Sequence, residues 1–227
     1  MKKLLYFFVF ILISYPAESH VNHYKNIKFI YFELYRNNNL IGFHNYDFTK
    51  NKDILEVKSV IDFKIEKLGV TLYRYHAKGV EKYKDNQLIS FESKTRQNKK
   101  DKFCRIFLKD DKFFIEGSSY QGEAPDNFII GTWWNHSIID KKSQVSAISG
   151  RIINQKVTFI GKERLIINGD EINTLHFNFS STDEKLSKNK KLNTDVWYEE
   201  GSMNWIKASF DRQGKWEYRL KKIEFYK

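Results

Sequence analysis

Six histidines and one cysteine are the residues of this chain whose types suit catalysis or metal binding. The histidines are His20, His23, His44, His76, His136 and His176. Apart from the first two they are scattered along the chain, so no metal-ligand spacing joins them. No Gly-x-Ser-x-Gly, His-Glu-x-x-His or phosphate-binding glycine loop occurs. Cys104 lies in the apolar run Phe103-Cys104-Arg105-Ile106-Phe107-Leu108 and reads as a small buried hydrophobe. The residues therefore point to no catalytic centre, no metal site and no cofactor, and the chain reads as non-catalytic. His20 and His23 raise one further arrangement. A cut before His20 would place its imidazole beside a new α-amine, a nitrogen pair that suits copper. Chain termini are seldom ordered, which weighs against a built site there.

The aromatic residues are more informative. Tyr73, Tyr75 and Tyr83 share one parity of an alternating run, with Arg74 and His76 on the other. Two readings stand: the tyrosines fill a core, or they line a cavity with their hydroxyls at its polar edge. Trp133 and Trp134 are adjacent, so in extended chain they face opposite ways. One reading has a tryptophan plugging the end of a barrel; the other has one facing a ligand or an interface. Tyr73, Tyr75, Trp133, Trp134 and His136 are the candidate ligand-binding residues.

The elements that must position them are strands. From Asp53 to Lys67, Leu55, Val57, Ser59, Ile61, Phe63 and Ile65 occupy one parity, and Glu56, Lys58, Val60, Asp62, Lys64 and Glu66 the other. Apolar residues two apart make a strand with a dry and a wet face, and a helix would need spacings of three and four. Gly69 turns the chain into a second long run, Val70 to Tyr83. Ile27–Tyr35 and Leu40–Phe48 precede this pair, with Gly42 at a bulge or close backbone approach. Gln87–Gln97, Lys102–Leu108 and Phe113–Glu116 follow. Later come Lys156–Ile160, Arg164–Ile167, Glu171–Phe179, Asn193–Glu199, Asn204–Asp211 and Lys215–Tyr226. Gly161-Lys162 and Asn168-Gly169 read as turns. Around a dozen strands exceed what a flat sheet holds without curling. The expected fold is all-β: a long-stranded antiparallel meander forming a strongly curved sheet or an open or closed β-barrel. Residues 117–150 fit no period and read as an irregular crossover or lid, with a short helical turn around Ser137 to Lys142.

Met1-Lys2-Lys3, the apolar run Leu4 to Ile13 and the small-x-small site Ala17-Glu18-Ser19 have the form of a signal peptide over 1–19. An uncleaved anchor is the other reading of that run. The remaining stretch, 20–227, is roughly the size of one all-β domain with its own core. A periplasmic or secreted protein, soluble once the leader is removed, is expected. The formal net charge is +11. Lysines such as Lys58, Lys64, Lys82 and Lys94 fall on wet strand faces, either as a solvated surface or as attraction to an anionic membrane or cell envelope. Export and the absence of any recognition-helix, RNA-binding or zinc-finger pattern argue against nucleic acid.

A set of ordered motifs carries a resemblance. Ile41-Gly42-Phe43-His44, Leu72-Tyr73-Arg74-Tyr75, Glu81-Lys82-Tyr83 and Thr95-Arg96-Gln97-Asn98 come first. Trp133-Trp134-Asn135, Asp195-Val196-Trp197-Tyr198 and Gly214-Lys215-Trp216-Glu217-Tyr218-Arg219-Leu220 follow. In these, and over nearly all of 20–227, the chain resembles an uncharacterised family of exported proteobacterial proteins known only as a domain of unknown function. Lys99 departs from the glycine expected after Asn98. The Asp-Val-Trp-Tyr, turn, Lys-Ala-x-Phe hairpin also looks like hairpins of periplasmic lipoprotein carriers of the LolA and LolB kind. That likeness implies an open barrel with a hydrophobic cavity under a lid. The functional expectation is an exported protein holding a lipid or acyl chain on its concave face. The alternative is an envelope scaffold with a filled core and a basic working surface.

Overall fold

The computed structural model describes residue 24, residues 26–187 and residues 190–226. The expected leader over 1–19 and the pair His20 and His23 lie outside the described residues. Fifteen strands occur among the described residues. β1 (Ile27–Arg36), β2 (Asn39–Asn51), β3 (Ile54–Lys67), β4 (Val70–Lys84), β5 (Gln87–Gln97), β6 (Lys100–Lys109), β7 (Lys112–Gly117) and β8 (Gln121–Glu123) run up and down in succession. β9 (Phe128–Ile130) and β10 (Ser143–Val145) lie in the crossover. β11 (Ile152–Ile167), β12 (Asp170–Ser181), β13 (Asn193–Glu199), β14 (Trp205–Asp211) and β15 (Lys215–Phe225) complete the meander.

The turns explain the strict up-and-down path. Asn37–Asn38, Leu68–Gly69, Asp85–Asn86, Asp110–Asp111 and Asn168–Gly169 are two-residue connections with positive φ at both positions. That pattern matches the right-handed twist of the flanking strands. Between β5 and β6 only Asn98 takes positive φ, so Lys99 needs no glycine. Gly42 combines both of its expected roles. The register slips beside it, and a Cβ there would lie 2.1 Å from the Asp62 carbonyl oxygen.

β1 pairs with β15, so the two ends of the meander meet at a seam with Ile27 opposite Phe225. From this seam one arm runs through β2 to β8 and the other through β14 to β9. The ladder does not close between β8 and β9. Residues 146–150 bridge the gap instead: the Ser119 amide donates to the Ser149 carbonyl at 2.9 Å. Gly117 permits this approach, because a Cβ there would sit 2.5 Å from the same oxygen. A small core of Phe91, Cys104, Ile106, Ile115, Ile130 and Val145 lies beneath. Cys104 is buried in it, and burial pushes its thiol up to about 12.

One sequence expectation is corrected. Lys156–Ile160 and Arg164–Ile167 are not two strands joined by a turn at Gly161-Lys162. They belong to the single strand β11, and the register slips between Phe159 and Gly161. A glycine inside a strand marks a bulge as readily as a turn, and here β12 pairs on both sides of it. The expected helical turn is a 3-10 helix at His136–Asp140, capped by Asn135, whose side-chain oxygen accepts from the Ser137 amide at 3.1 Å.

The inside of the curled sheet holds the main core. Leu55, Val57 and Phe63 of β3 and Tyr75, Ala77 and Tyr83 of β4 point inward, as their parity requires. Outward positions carry the charges, the reverse of a lipid-facing barrel wall. Lys58 and Lys82 pair with Glu56, and Lys64 with Glu66. Such exposed pairs each add little to stability, but they neutralise part of the basic face.

The crossover enters the interior and is held there by a buried carboxylate. Glu81 sits on the inward parity of β4. It accepts from Trp134 Nε1 at 2.9 Å, Thr132 Oγ1 at 3.1 Å and Tyr83 Oη at 2.5 Å. Burial raises its carboxyl above the ordinary value, against the pull of these three donors. Glu81→Ala should cost about 3 kcal/mol or more in urea denaturation, since buried donors lose their acceptor. Glu81→Gln keeps an acceptor oxygen and should cost less. A carboxyl raised in the folded state gives its full contribution below its unfolded value and loses it as pH rises through the folded value. The wild type should therefore weaken relative to Glu81→Gln as pH rises, and a pH-independent difference would contradict this assignment.

Candidate functional site

Trp133 and Trp134 divide the interior. Trp134 is fully buried on the plug side, edge-on to Tyr24 at 5.0 Å, Phe48 at 5.3 Å and Tyr83 at 5.7 Å. His136 belongs to the same side, its Nδ1 2.6 Å from the Tyr24 hydroxyl, which also accepts from the His136 amide at 3.0 Å. Trp133 faces the other way, into a cavity of about 270 Å³.

β2 to β5 form one wall of this cavity, β11 and β13 to β15 the other, and the crossover covers it. Tyr75 lies on the first wall, stacked on Phe63 with centroids 4.9 Å apart and planes within 9°. Tyr218 stands opposite and meets Trp133 edge-on at 5.5 Å. Trp205 lies behind them, 5.4 Å from Trp133 and 3.8 Å from Phe32. His44 sits among these rings, 4.3 Å from Tyr46, 5.9 Å from Tyr218 and 6.1 Å from Trp205.

The polar atoms of this ring cluster are unusual. Both ring nitrogens of His44, the Tyr46 hydroxyl, Trp133 Nε1 and Trp205 Nε1 are buried with no protein hydrogen-bond partner. Buried polar groups are normally satisfied, and each unmade hydrogen bond costs about 1–3 kcal/mol. His44, Tyr46 and Trp133 line the cavity. Burial lowers His44 to about 3 and raises the hydroxyls of Tyr46, Tyr75 and Tyr218 above their ordinary range. This aromatic part of the cavity wall is therefore uncharged at neutral pH, with one nitrogen of His44 able to donate and the other to accept.

The structure thus brings Tyr75 and Trp133 of the candidate residues together. Trp134 and His136 are packed in the plug and do not line the cavity. Tyr73 is half-buried nearer the barrel's end, 5.9 Å from Phe63. His44, Tyr46 and Tyr218 complete the cavity but were not among the candidates. Parity holds the missed signal: His44 alternates with Tyr46 and Phe48, so it lies on the dry face of β2. Among the described residues no group of three His, Cys, Asp or Glu side chains is arranged to hold a metal ion.

A histidine buried neutral adds a defined acid sensitivity. Its folded value lies below the ordinary 6.5, so stability is intact above 6.5 and is lost as pH falls towards about 3. The slope for one group is about 1.4 kcal/mol per pH unit. Urea titrations across that range should show His44→Leu losing less stability than the wild type. Parallel losses in the two proteins would rule out a neutral buried His44.

Comparison with known proteins fits this architecture. The sequence matches the family described as a domain of unknown function, DUF6134, over residues 32–221. The crystal structure of a beta-barrel-like protein of the domain of unknown function DUF1849, from Brucella abortus, is similar with a TM-score of 0.62. That similarity covers 88% of this chain and 98% of that one at 10% identity, and it shows the fold alone. A DUF1329 family protein from Desulfovibrio piger aligns over 92% of this chain and 90% of its own at 8% identity, with a TM-score of only 0.22. No curated protein matches the chain. The uncharacterised family suggested by the ordered motifs is thereby fixed: this chain belongs to the DUF6134 family, a β-barrel-like fold of unknown function.

Proposed function

We propose that this protein is a non-catalytic binder of a hydrophobic ligand, a lipid or acyl chain held in the cavity between Tyr75 and Trp133. The observation that carries the reading is the set of buried, unpartnered polar atoms set among the aromatic rings that line the cavity. A filled core would have matched or excluded those groups. Most of the interior is filled by its own aromatic side chains, so the ligand is small. The 270 Å³ cavity lies just below the range of about 300–1,000 Å³ common for ligand pockets. Burial of an alkyl chain would contribute about 0.8 kcal/mol per methylene. The leader-like sequence over 1–19 and the carrier-like hairpin support a periplasmic or secreted setting. Among the described residues no helix is long and apolar enough to cross a membrane.

Native mass spectrometry of the protein from its own envelope, followed by lipid extraction, tests this reading. A stoichiometric lipid in the wild type, lost in Tyr75→Ala and Trp133→Ala variants that keep their far-ultraviolet spectra, is expected. A clean apo mass for the wild type would reject it.

A second reading, contact with an anionic membrane or envelope surface, has one specific support. Leu68 is 95% exposed at the tip of the β3–β4 hairpin and holds a φ of 50°. A non-glycine residue in this region costs roughly 1–2 kcal/mol, and Leu68 offsets none of it by burial. Val70 and Leu72 beside it are also exposed, with Lys64 and Lys67 on the same hairpin. An apolar tip flanked by lysines suits an anionic bilayer surface. Liposome co-sedimentation should rise with the anionic lipid fraction, fall with salt and weaken in Leu68→Asp. Binding indifferent to lipid charge and salt would remove this reading.

A further inference from the structure

Three cations from distant parts of the chain meet at one end of the cavity. Arg151 precedes β11, Lys191 precedes β13 and Arg212 opens the turn between β14 and β15. The antiparallel meander brings these points to the same end of the barrel, and all three residues line the cavity. None has a carboxylate within ion-pair distance among the described residues. The other arginines differ. Arg74, Arg96, Arg105, Arg164 and Arg219 each have a carboxylate partner, and Arg36 rests over Trp216.

Arg151 is half-buried and donates from Nη1 to the Lys190 carbonyl at 3.0 Å, which aims its guanidinium. Burial and the neighbouring Arg212 charge both lower its affinity for its proton. Two like charges held close without a counter-charge gain most from an anion placed between them. The same cavity is lined by aromatic rings and by Lys78, and His44 and Tyr46 there offer unpartnered polar atoms that are more than nine-tenths buried.

We propose that the ligand is an anionic amphiphile, its apolar body between Tyr75, Trp133 and Tyr218 and its carboxylate or phosphate at Arg151, Arg212 and Lys191. This rests on the reading that the cavity takes a hydrophobic ligand. It adds a polarity to that ligand, with the tail inward and the head at the mouth. A cavity holding roughly nine water volumes accepts a medium-length single chain rather than a multiply acylated lipid.

Calorimetric titration of the wild type with decanoate, decyl phosphate, decanol and inorganic phosphate tests the assignment. Decanoate and decyl phosphate should bind about tenfold or more tightly than decanol, the scale of one charge-assisted hydrogen bond. Arg212→Gln, at an exposed turn position, and the Arg151→Gln/Arg212→Gln pair should reduce that preference stepwise, weakening decanoate and decyl phosphate more than decanol. Thermal melts of both variants report whether they remain folded. Equal affinity for decanol and decanoate, or a preference unaltered in a folded Arg212→Gln, overturns the head-group site and leaves the cavity reading intact. Inorganic phosphate binding as tightly as decyl phosphate would make the mouth a free-anion site and overturn the amphiphile. No binding of any decyl compound would overturn the cavity reading as well.

Discussion

Glu81 is the point on which the interior depends. A carboxylate inside a barrel is costly unless donors surround it, and here two of the three donors come from the crossover. The segment after β9 is thereby drawn inside the sheet instead of lying across its mouth. With Trp134 fixed against Glu81 in the turn that precedes the 3-10 helix, Trp133 lies on the other side, in the cavity lining. One hydrogen-bonded anchor thus makes both the plug and the roof of the cavity. The compartments differ in kind: the plug's polar groups are paired, while several on the cavity side are not.

The curled sheet also separates charge by depth. The outer face carries lysines and glutamates in pairs within and between strands, and its field is partly cancelled in place. The aromatic lining of the cavity is neutral, because burial keeps His44 deprotonated and the tyrosines protonated. Arg151, Lys191 and Arg212, which have no carboxylate partner among the described residues, line the cavity between these two regions. Part of the chain's net charge of +11 thus lies at the end of the barrel that these three residues share.

Much of this was legible in the sequence because a strand's period is rigid. The parity of Leu55 to Ile65 and of Tyr73 to Tyr83 gave the dry faces, and the Asn, Asp and Gly pairs marked the turns. The ordered motifs gave the family. Gly161 misled because one residue type serves both turns and bulges, and only the partner strand decides. The candidate site was half legible. Tyr75 and Trp133 meet, but nothing local in the sequence says that Trp133 and not Trp134 faces the cavity. That choice is made by Glu81, some fifty residues away. His44 and Glu81 were detectable as polar residues on dry parities, a conflict with burial that marks a special site. Arg151, Lys191 and Arg212 were not, because their meeting depends on which strand ends share a side of the barrel.

The β1–β15 seam carries a consequence for how the molecule is made. Synthesis delivers the N-terminal strand first, yet its second neighbour in the sheet is the last strand of the fold. Until β15 arrives, β1 is an open edge with Phe32 and Leu34 uncovered along it. Closing that seam spans nearly the whole chain, a contact of the highest order, which belongs late in folding and slowly. Nascent β1 thus waits longer for its second partner than any other strand among the described residues.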